Sequence, residues 1–600
     1  MTFANLDPLP PTPDWPPCGD SAHPLIDPVG CRGVPVPGYD ACLNHLEESD
    51  RAAYLATLSP GADIDHRGTS FTEELLGELL AALTDPVTGQ PRLGDAWFVR
   101  ANFDGPASFA GVIFGGHVRF DEATFEDEVQ FSEAVFSGEA WFVEATFSDI
   151  AWFFDVSFLD VAVFTGATFS QNVWFQAAKF SGDAVFVGAK FEFPAVFQDA
   201  TFEHEARFAS VTFGDHVWFG GAMVDGRASF QGAVFERATT VGPLVCTERL
   251  ELSEAVFERA VTVEVAAAAV RCRRTRWAST AALRLRYAAV DLSDAVMEYP
   301  VSVSARSRPF VFGDEEMAEP GLTDPRVRAV SLRGVDAAHL VLTDIDLTDC
   351  RFAGTIHLDQ LRLEGRYTLA TVPSGLRWRG MRPVRWTPRR TLAEEHHWRA
   401  TRFADADGWM PAPEGEEVLE PAALAPVYRQ LRKSFEDGKH EPGAADFYYG
   451  EMEMRRHADD IPWAERALLT AYWALSGYGL RASRAVGWLL AAMTATVLAM
   501  MLWGLPQDSP KSTSTGTLTG RNITMTTETP DPVNPTGPWR ERLSTERFEK
   551  SLRVVINSVV FRSSGQDLTT AGTYMEMASR FTEPVLLGLA ILAVRGRVKR

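Results

Sequence analysis

The chain has 600 residues, a net charge of −23, 39 Phe against 11 Tyr, and six Cys. That length exceeds what one core organises, so several modules are expected. The charge argues against holding nucleic acid or anionic lipid by bulk attraction, and so few Cys exclude a disulfide scaffold.

The opening MTFANLDPLPPTPDWPP has no basic stretch followed by an apolar core. No signal peptide is therefore expected, and the N-terminal mass is placed in the cytoplasm. Half of the Cys lie near the N-terminus, as Cys18, Cys31 and Cys42, with His45 close by. Cys42-x-x-His45 is half of a zinc knuckle, and thiolate plus imidazole suit structural zinc. There is no Cys-x-x-Cys and the other gaps are long, so buried or surface thiols are the alternative. Ser70-Phe-Thr-Glu73 has capping-box spacing, and Leu75, Leu76, Leu79, Leu80 and Leu83 follow at helical spacing. This segment is expected to form a helix that caps the repeats after it.

From Phe98 onward Phe recurs at alternating intervals of five and six residues, giving 23 consecutive Phe through Phe219. The phase continues through Val224, Phe230, Phe235, Val241, Cys246, Leu252, Phe257 and Val263. Two residues before each marked position, from Ala96 to Ala233, stands Ala or Val. A fixed period of this kind marks a solenoid. On a helix, steps of five would put neighbouring Phe about 140° apart, in two stripes rather than one seam. Gly115-Gly116 and Gly220-Gly221 also oppose a helix. On a strand, Ala123 and Phe125 share one face. The inward set then includes Phe120, Phe125, Phe131, Phe136, Phe142, Phe147, Phe153, Phe158, Phe164 and Phe169.

This pattern resembles the pentapeptide-repeat family, whose A-[DN]-L-x-x units build a right-handed quadrilateral β-solenoid. Phe takes the central Leu position here, and every second corner carries one extra residue. The resemblance implies 22 residues per coil and seven to eight coils between Phe98 and Val263, a rod of roughly 35 Å. Residues 101 to 241 contain 20 Asp or Glu against 6 Lys or Arg. In some family members a negative rod resembles duplex DNA and binds topoisomerases. The alternative is a solvated surface that resists aggregation.

After Val263 the register slips through the Val265–Val270 run and the basic Arg271–Arg276. Repeat-like spacing returns at Leu292, Met297 and Val303, and again at Leu342, Leu347, Phe352, Leu358 and Leu363. An irregular second solenoid section is expected over 266–370, either continuing the rod or standing as a separate stack. Residues 377 to 390 carry six Arg with Trp378 and Trp386. They suit either phosphate and base contacts or a positive surface beside the inner leaflet or the acidic rod. The second is preferred, and no direct nucleic-acid binding is expected. Glu394, His396 and His397 are read as surface or packing residues, because adjacent His point apart on a helix.

Tyr428, Leu431 and Phe435 form one helical stripe, Pro442-Gly443 breaks it, and Phe447, Tyr448, Glu451 and Met454 form another. The segment YRQLRKSFEDGKHEPGAADFYYGEMEMRR resembles the connector of pentapeptide proteins fused to membrane domains. Ala485–Leu505 is uncharged throughout and carries Trp488 and Trp503 near its ends, which suits a membrane span. Arg481 and Arg484 place its N-terminal side inside. Residues 506–550 read as a flexible external loop. A second crossing must begin near Tyr574 and accept Glu576, Arg580 and Glu583. The basic tail puts its end inside, whereas Arg547 and Arg553 fit poorly outside.

An outer helix, a re-entrant segment and an inner helix resemble the two-helix pore domain of potassium channels. That resemblance makes Leu552–Phe561 a pore helix and Arg562, Ser563, Ser564, Gly565, Gln566 and Asp567 the filter. The family's T-V-G-Y-G-D has largely gone, and Arg562 would repel cations beside backbone carbonyls. A plain anchor is the alternative.

The expected modules are a cap (1–90), regular solenoid (91–265), irregular solenoid (266–370), basic and helical connector (371–480) and transmembrane hairpin (481–600). No phosphate-binding loop, dinucleotide fingerprint, zincin helix or nucleophile elbow appears, so the chain is not read as an enzyme. No cofactor is expected beyond the candidate zinc. The reading is a scaffold on the cytoplasmic face of a bacterial cell membrane. Its partners would be membrane lipid, a protein on the acidic solenoid face, and further copies of itself through the hairpin. A solenoid-gated channel subunit and a DNA-mimicking topoisomerase modulator are the alternatives.

Overall fold

A computed structural model describes residues 13–23, 27–375, 377–379, 382–384, 386–402, 408–508, 511–520, 522–560 and 562–598. It divides into two units, Met1–Val418 and Leu419–Arg600.

In the first unit one coil runs through four two-residue strands, Asn102–Phe103, Ala107–Ser108, Ile113–Phe114 and Val118–Arg119. Thr124–Phe125 then returns to pair in parallel with Asn102–Phe103, closing the coil into four faces. These are called the first to fourth faces in that order. On each strand the Ala or Val and the Phe point inward, and the 23 repeat-position Phe from Phe98 through Phe219 are at most 1% exposed. Because the coil length is constant, each Phe lies over the Phe one coil earlier. The column from Phe98 to Phe230 has ring centroids 4.7 to 5.1 Å apart, matching the spacing of paired strands. Neighbouring columns meet edge to face, as Phe131 and Phe142 do at 5.7 Å and 85°. Both geometries suit the ring quadrupole.

The five-residue corners are tight turns. At one of them Ala123 N donates to Phe120 O at 3.1 Å, with Glu122 at φ 54. The equivalent position repeats every half coil, as Gly166, Ala177, Gly188 and Asp199, always with positive φ. Ala177 has neither the freedom of Gly nor a polar side chain to bond its own backbone. A left-handed residue costs about 1–2 kcal/mol, more than the ~0.4–1 kcal/mol of unfolded-chain entropy that Gly adds. Ala177→Gly should therefore raise stability by about 0.5–1 kcal/mol, read from the denaturation midpoint of the full-length protein in detergent.

The parallel ladder continues past residue 265 without a break, so the irregular section is more of the same rod. The solenoid makes about 13 turns over 92–369. The coil shortens: Val256 pairs with Arg276 and Arg276 with Val296, smaller steps than the one from Asn102 to Thr124. Trp277 continues the Phe column, 4.4 Å from Phe257. An insertion between the strands Val301–Ala305 and Leu340–Thr343 carries the hairpin Val311–Phe312/Glu315–Glu316. It folds back on the solenoid. Phe310 packs on Val245 and Ala266, and the buried Glu319 pairs with Arg286 at 2.6 Å and accepts from Tyr287 Oη at 2.7 Å. Phe312 lies over Gly220-Gly221, where a Cβ on Gly220 would meet its ring at 2.3 Å.

Both ends are capped. The strand Ser70–Phe71 pairs with Asn102–Phe103 ahead of the first full coil, and Phe71 stacks on Phe103 at 5.2 Å. The helix Glu73–Ala82 follows, burying Leu75, Leu76, Leu79 and Leu80. Its N-cap is Thr72, whose hydroxyl accepts from Leu75 N at 3.3 Å. Ser70 is not the cap, because the parallel ladder holds it in a strand. At the other end the helix Ala393–Arg402 buries Glu394, Glu395, His396 and Arg399. Glu394 Oε1 accepts from Phe352 N at 2.6 Å and Ala353 N at 2.9 Å, two amides of the closing coils. Glu395 pairs with Arg389 at 2.5 Å and Arg399 at 2.6 Å, all three side chains at most 3% exposed. The side chains of residues 376–385, Trp378 among them, lie outside the described set.

In the second unit the helices Pro421–Asp437 and Glu441–His457 pack as a hairpin. Its turn falls at Gly438 to His440, not at Pro442-Gly443. Pro442 lies in the first turn of the second helix, where its missing N–H costs nothing. Gly450 lets Tyr428 approach, since a Cβ there would lie 2.2 Å from its ring. The helices Trp463–Ser476 and Ala482–Ala499 follow.

Among the described residues two helical spans are long and apolar enough to cross a membrane: Ala482–Gly504, with mean hydropathy 2.0, and Thr570–Arg595, with mean hydropathy 1.5. The connection between them is not only a flexible loop. It holds the hairpin Thr513–Thr519/Asn522–Glu528 and the helix Thr545–Val559, which starts well before the expected Leu552. Phe561, the expected end of that helix, lies outside the described residues. Four of the side chains that made this region awkward, Arg547, Arg553, Glu576 and Arg580, find partners. Arg547 donates to the carbonyls of Met501, Leu505 and Pro506 at 2.8 to 3.0 Å, closing the C-terminal end of the first span. Arg553 pairs with Glu549 at 2.7 Å and Arg580 with Glu576 at 3.0 Å. Glu583 is fully buried.

Candidate metal centre and solenoid surface

Cys18, Cys31, Cys42 and His45 converge on one point, with all four ligand atoms within 4.8 Å of one another. The backbone brings them together. Val34 N donates to Arg67 O at 2.8 Å, extending the capped end of the solenoid, and Cys18 N donates to Gly33 O at 2.7 Å. Cys42 then enters the short helix Leu43–His45, so His45 returns to the same side one turn later. Cys31 Sγ lies 3.7 Å from Cys42 Sγ. His45 Nδ1 lies 3.4 Å from Cys42 Sγ and 3.7 Å from Cys18 Sγ. Tetrahedral zinc with Zn–S of about 2.3 Å sets its sulfurs about 3.8 Å apart, so this donor set fits zinc. A disulfide would need about 2.05 Å.

The surroundings suit a cation. His45 Nε2 faces the Asp20 carboxylate at 3.5 Å, the outer partner that orients a ligating imidazole. Gly33 N donates to Cys31 Sγ at 3.4 Å, and a Cβ on Gly33 would come 2.8 Å from Cys42 Cβ. The hydrogen bond from the Cys42 thiol, helped by Gly33 N–H and His45, lowers the Cys31 pKa to about 5 against the effect of burial. Cys42 is pushed up as the partner that keeps its proton. Cys246, Cys272 and Cys350 are buried in the solenoid.

The solenoid's acidic residues occupy its corners on all sides rather than one face. The outward strand positions form their own columns. On the fourth face Arg119 lies between Trp97 and Trp141, 5.8 and 5.5 Å from their ring centroids. On the second face Trp152 stacks on Trp174 at 5.5 Å, and Val196 and Trp218 continue the column.

The filter-like segment has no regular structure from Arg562 to Asp567. Ser564 N donates to Glu576 at 2.9 Å, Arg562 and Ser563 are exposed, and Gly565 has φ 63. Gln566 and Asp567 line a polar cavity of about 380 Å³ with Arg542, Arg547 and Lys550. Sequence reasoning missed the C-terminal cap and the second-face Trp column. The cap could have been sought in the run Glu394-Glu395-His396, and the column in the spacing of Trp152 and Trp174, which is one full coil.

Residues 92–135, 120–161, 131–179, 153–201, 175–223 and 186–234 match a family described as pentapeptide repeats (9 copies). No curated protein and no solved structure matched the chain. With an unbroken array over 92–234 and four strands to every coil, this segment of the chain belongs to the pentapeptide-repeat family.

Proposed function

We propose that this protein is a membrane-anchored, non-enzymatic scaffold whose solenoid presents a binding surface on the cytoplasmic side. The observation that carries this reading is the exposure of its two apolar spans, only 22% and 28% of which are buried within the protein. Trp488, Leu490, Val585, Ile591 and Leu592 are each at least 50% exposed, an arrangement that lipid satisfies and water does not. Arg481 just before the first span, and Arg484 in its first turn, favour a cytoplasmic N-terminal side.

The test is membrane retention. The full-length protein should stay in the pellet through an alkaline carbonate wash and leave it only with detergent, whereas a chain ending at Asp460 should be soluble. Full-length protein released by carbonate alone would sink the anchor. Flux from liposomes that contain the inserted protein, altered by Arg562→Ser, would instead favour a channel subunit assembled from several hairpins.

A second reading concerns the Cys and His cluster, and the near-tetrahedral edges of 3.4 and 3.7 Å favour it. The cluster holds structural zinc that fastens residues 13–45 to the capped end. Protein purified without chelator should carry one zinc per chain by elemental analysis. Cys42→Ser should abolish it and make residues 13–45 susceptible to protease. Metal-free wild-type protein with an intact, protected N-terminus would refute this role.

A further inference from the structure

We infer that the second face of the solenoid is a docking surface for an arginine-rich segment of a partner protein, recognised by stacking of guanidinium groups on the column Trp152, Trp174 and Trp218. The inference rests on the scaffold reading and names what that scaffold holds. Its basis is a contrast between opposite faces of one rod. On the fourth face the indoles of Trp97 and Trp141 already hold a guanidinium from their own chain, Arg119. On the second face, among the described residues, no Lys or Arg lies over Trp152, Trp174 or Trp218. Trp218 is 37% exposed, and Phe154 and Phe193 at the bordering corners are 42% and 43% exposed. An exposed aromatic surface with a polar rim marks an interaction site.

The rim sets the sign of the partner. Asp149, Glu192 and Asp215 lie on one edge of this face, and Glu133, Asp155 and Asp199 on the other. No Lys or Arg belongs to the face or its two corners between residues 126 and 221. Lys190 of the adjoining face reaches Glu192 at 2.5 Å, and Arg237 lies 3.6 Å from Asp215. An indole column between two rows of carboxylate fits a cation that is also flat. Arg meets both demands, stacking on the ring while its edge donates to carboxylate, whereas Lys is a hydrated point charge. Trp152 to Trp218 spans three coil steps, about 14 Å, the length of roughly four residues of extended chain.

The test uses full-length protein in detergent and a fluorescein-labelled oligo-arginine peptide, with an oligo-lysine peptide of equal length for comparison. Binding should quench tryptophan emission and be stronger for arginine than for lysine. It should weaken by about tenfold or more in Trp152→Ser/Trp174→Ser. These side chains point outward, so the far-UV spectrum should not change, and Trp141→Ser on the opposite face should bind like wild type. Equal binding by the double variant, or equal binding of the two peptides, would reduce the effect to bulk charge and overturn the inference. So would a column buried by self-association of the protein. Absence of peptide binding from a protein that still resists carbonate extraction would sink this inference and leave the anchored scaffold standing.

Discussion

Replacing Phe164 by Ala should destabilise the solenoid by about 3–5 kcal/mol, the usual range for a buried Phe that leaves a cavity. Phe164 has no exposed surface. Its ring stacks between Phe142 at 4.7 Å and Phe186 at 4.8 Å, and it meets Phe153 and Phe175 edge-on at 5.7 and 5.5 Å. Its coil is paired with a coil above and a coil below, so the walls cannot close on the void without breaking register in both. Since each repeat contacts only its neighbours, the weakened coil should also divide the array. Chemical denaturation followed by circular dichroism should show a lower midpoint and a second phase. Phe164→Leu, which keeps more of the volume, should cost less than half as much. A loss below about 1 kcal/mol would mean that the columns relax into the gap.

His66 should make the capped end of the rod sensitive to acid. Its imidazole takes a place among the rings of the core, 5.8 Å from Phe71 and 6.4 Å from Phe98. It is fully buried and neither ring nitrogen has a hydrogen-bond partner. Burial pushes its pKa down from 6.5 to about 4, against a weaker upward pull from Asp65. The folded protein thus keeps His66 neutral where the unfolded chain would bind a proton. Stability is complete above about pH 6.5 and falls as the pH drops toward 4, by about 3 kcal/mol in total. His66→Phe should remove this component, so the difference between variant and wild type should widen from pH 6.5 to 4. Parallel curves over that window would show that the ring escapes to water when protonated.

The solenoid was legible because its signal is local and repeated. Phe98 to Phe219 announce an inward position every five or six residues, and a four-sided coil is the closure that stacks them. The first apolar span was legible for the same reason, since an uncharged run as long as Ala485–Leu505 declares itself. The shortened coils were not. Val256 pairs directly with Arg276, and the run Val265–Val270 offers several registers of equal apolarity. The C-terminal cap was hidden because Glu394-Glu395-His396 has the composition of a solvated helix. Only the free amides of Phe352 and Ala353, and the cations Arg389 and Arg399, make its burial favourable.

Glu576, Arg580 and Glu583 looked unsuited to a membrane span until the fold turned Glu583 inward and paired Arg580 with Glu576. Local pattern was enough to specify the coil, its aromatic axis and the first apolar helix, because each depends on side chains a few residues apart. Contacts between distant parts of the chain came only with folding: Cys18, Cys31, Cys42 and His45 meeting at the capped end, and Glu319 returning to Arg286. Those contacts depend on chain closure, which a local pattern does not encode.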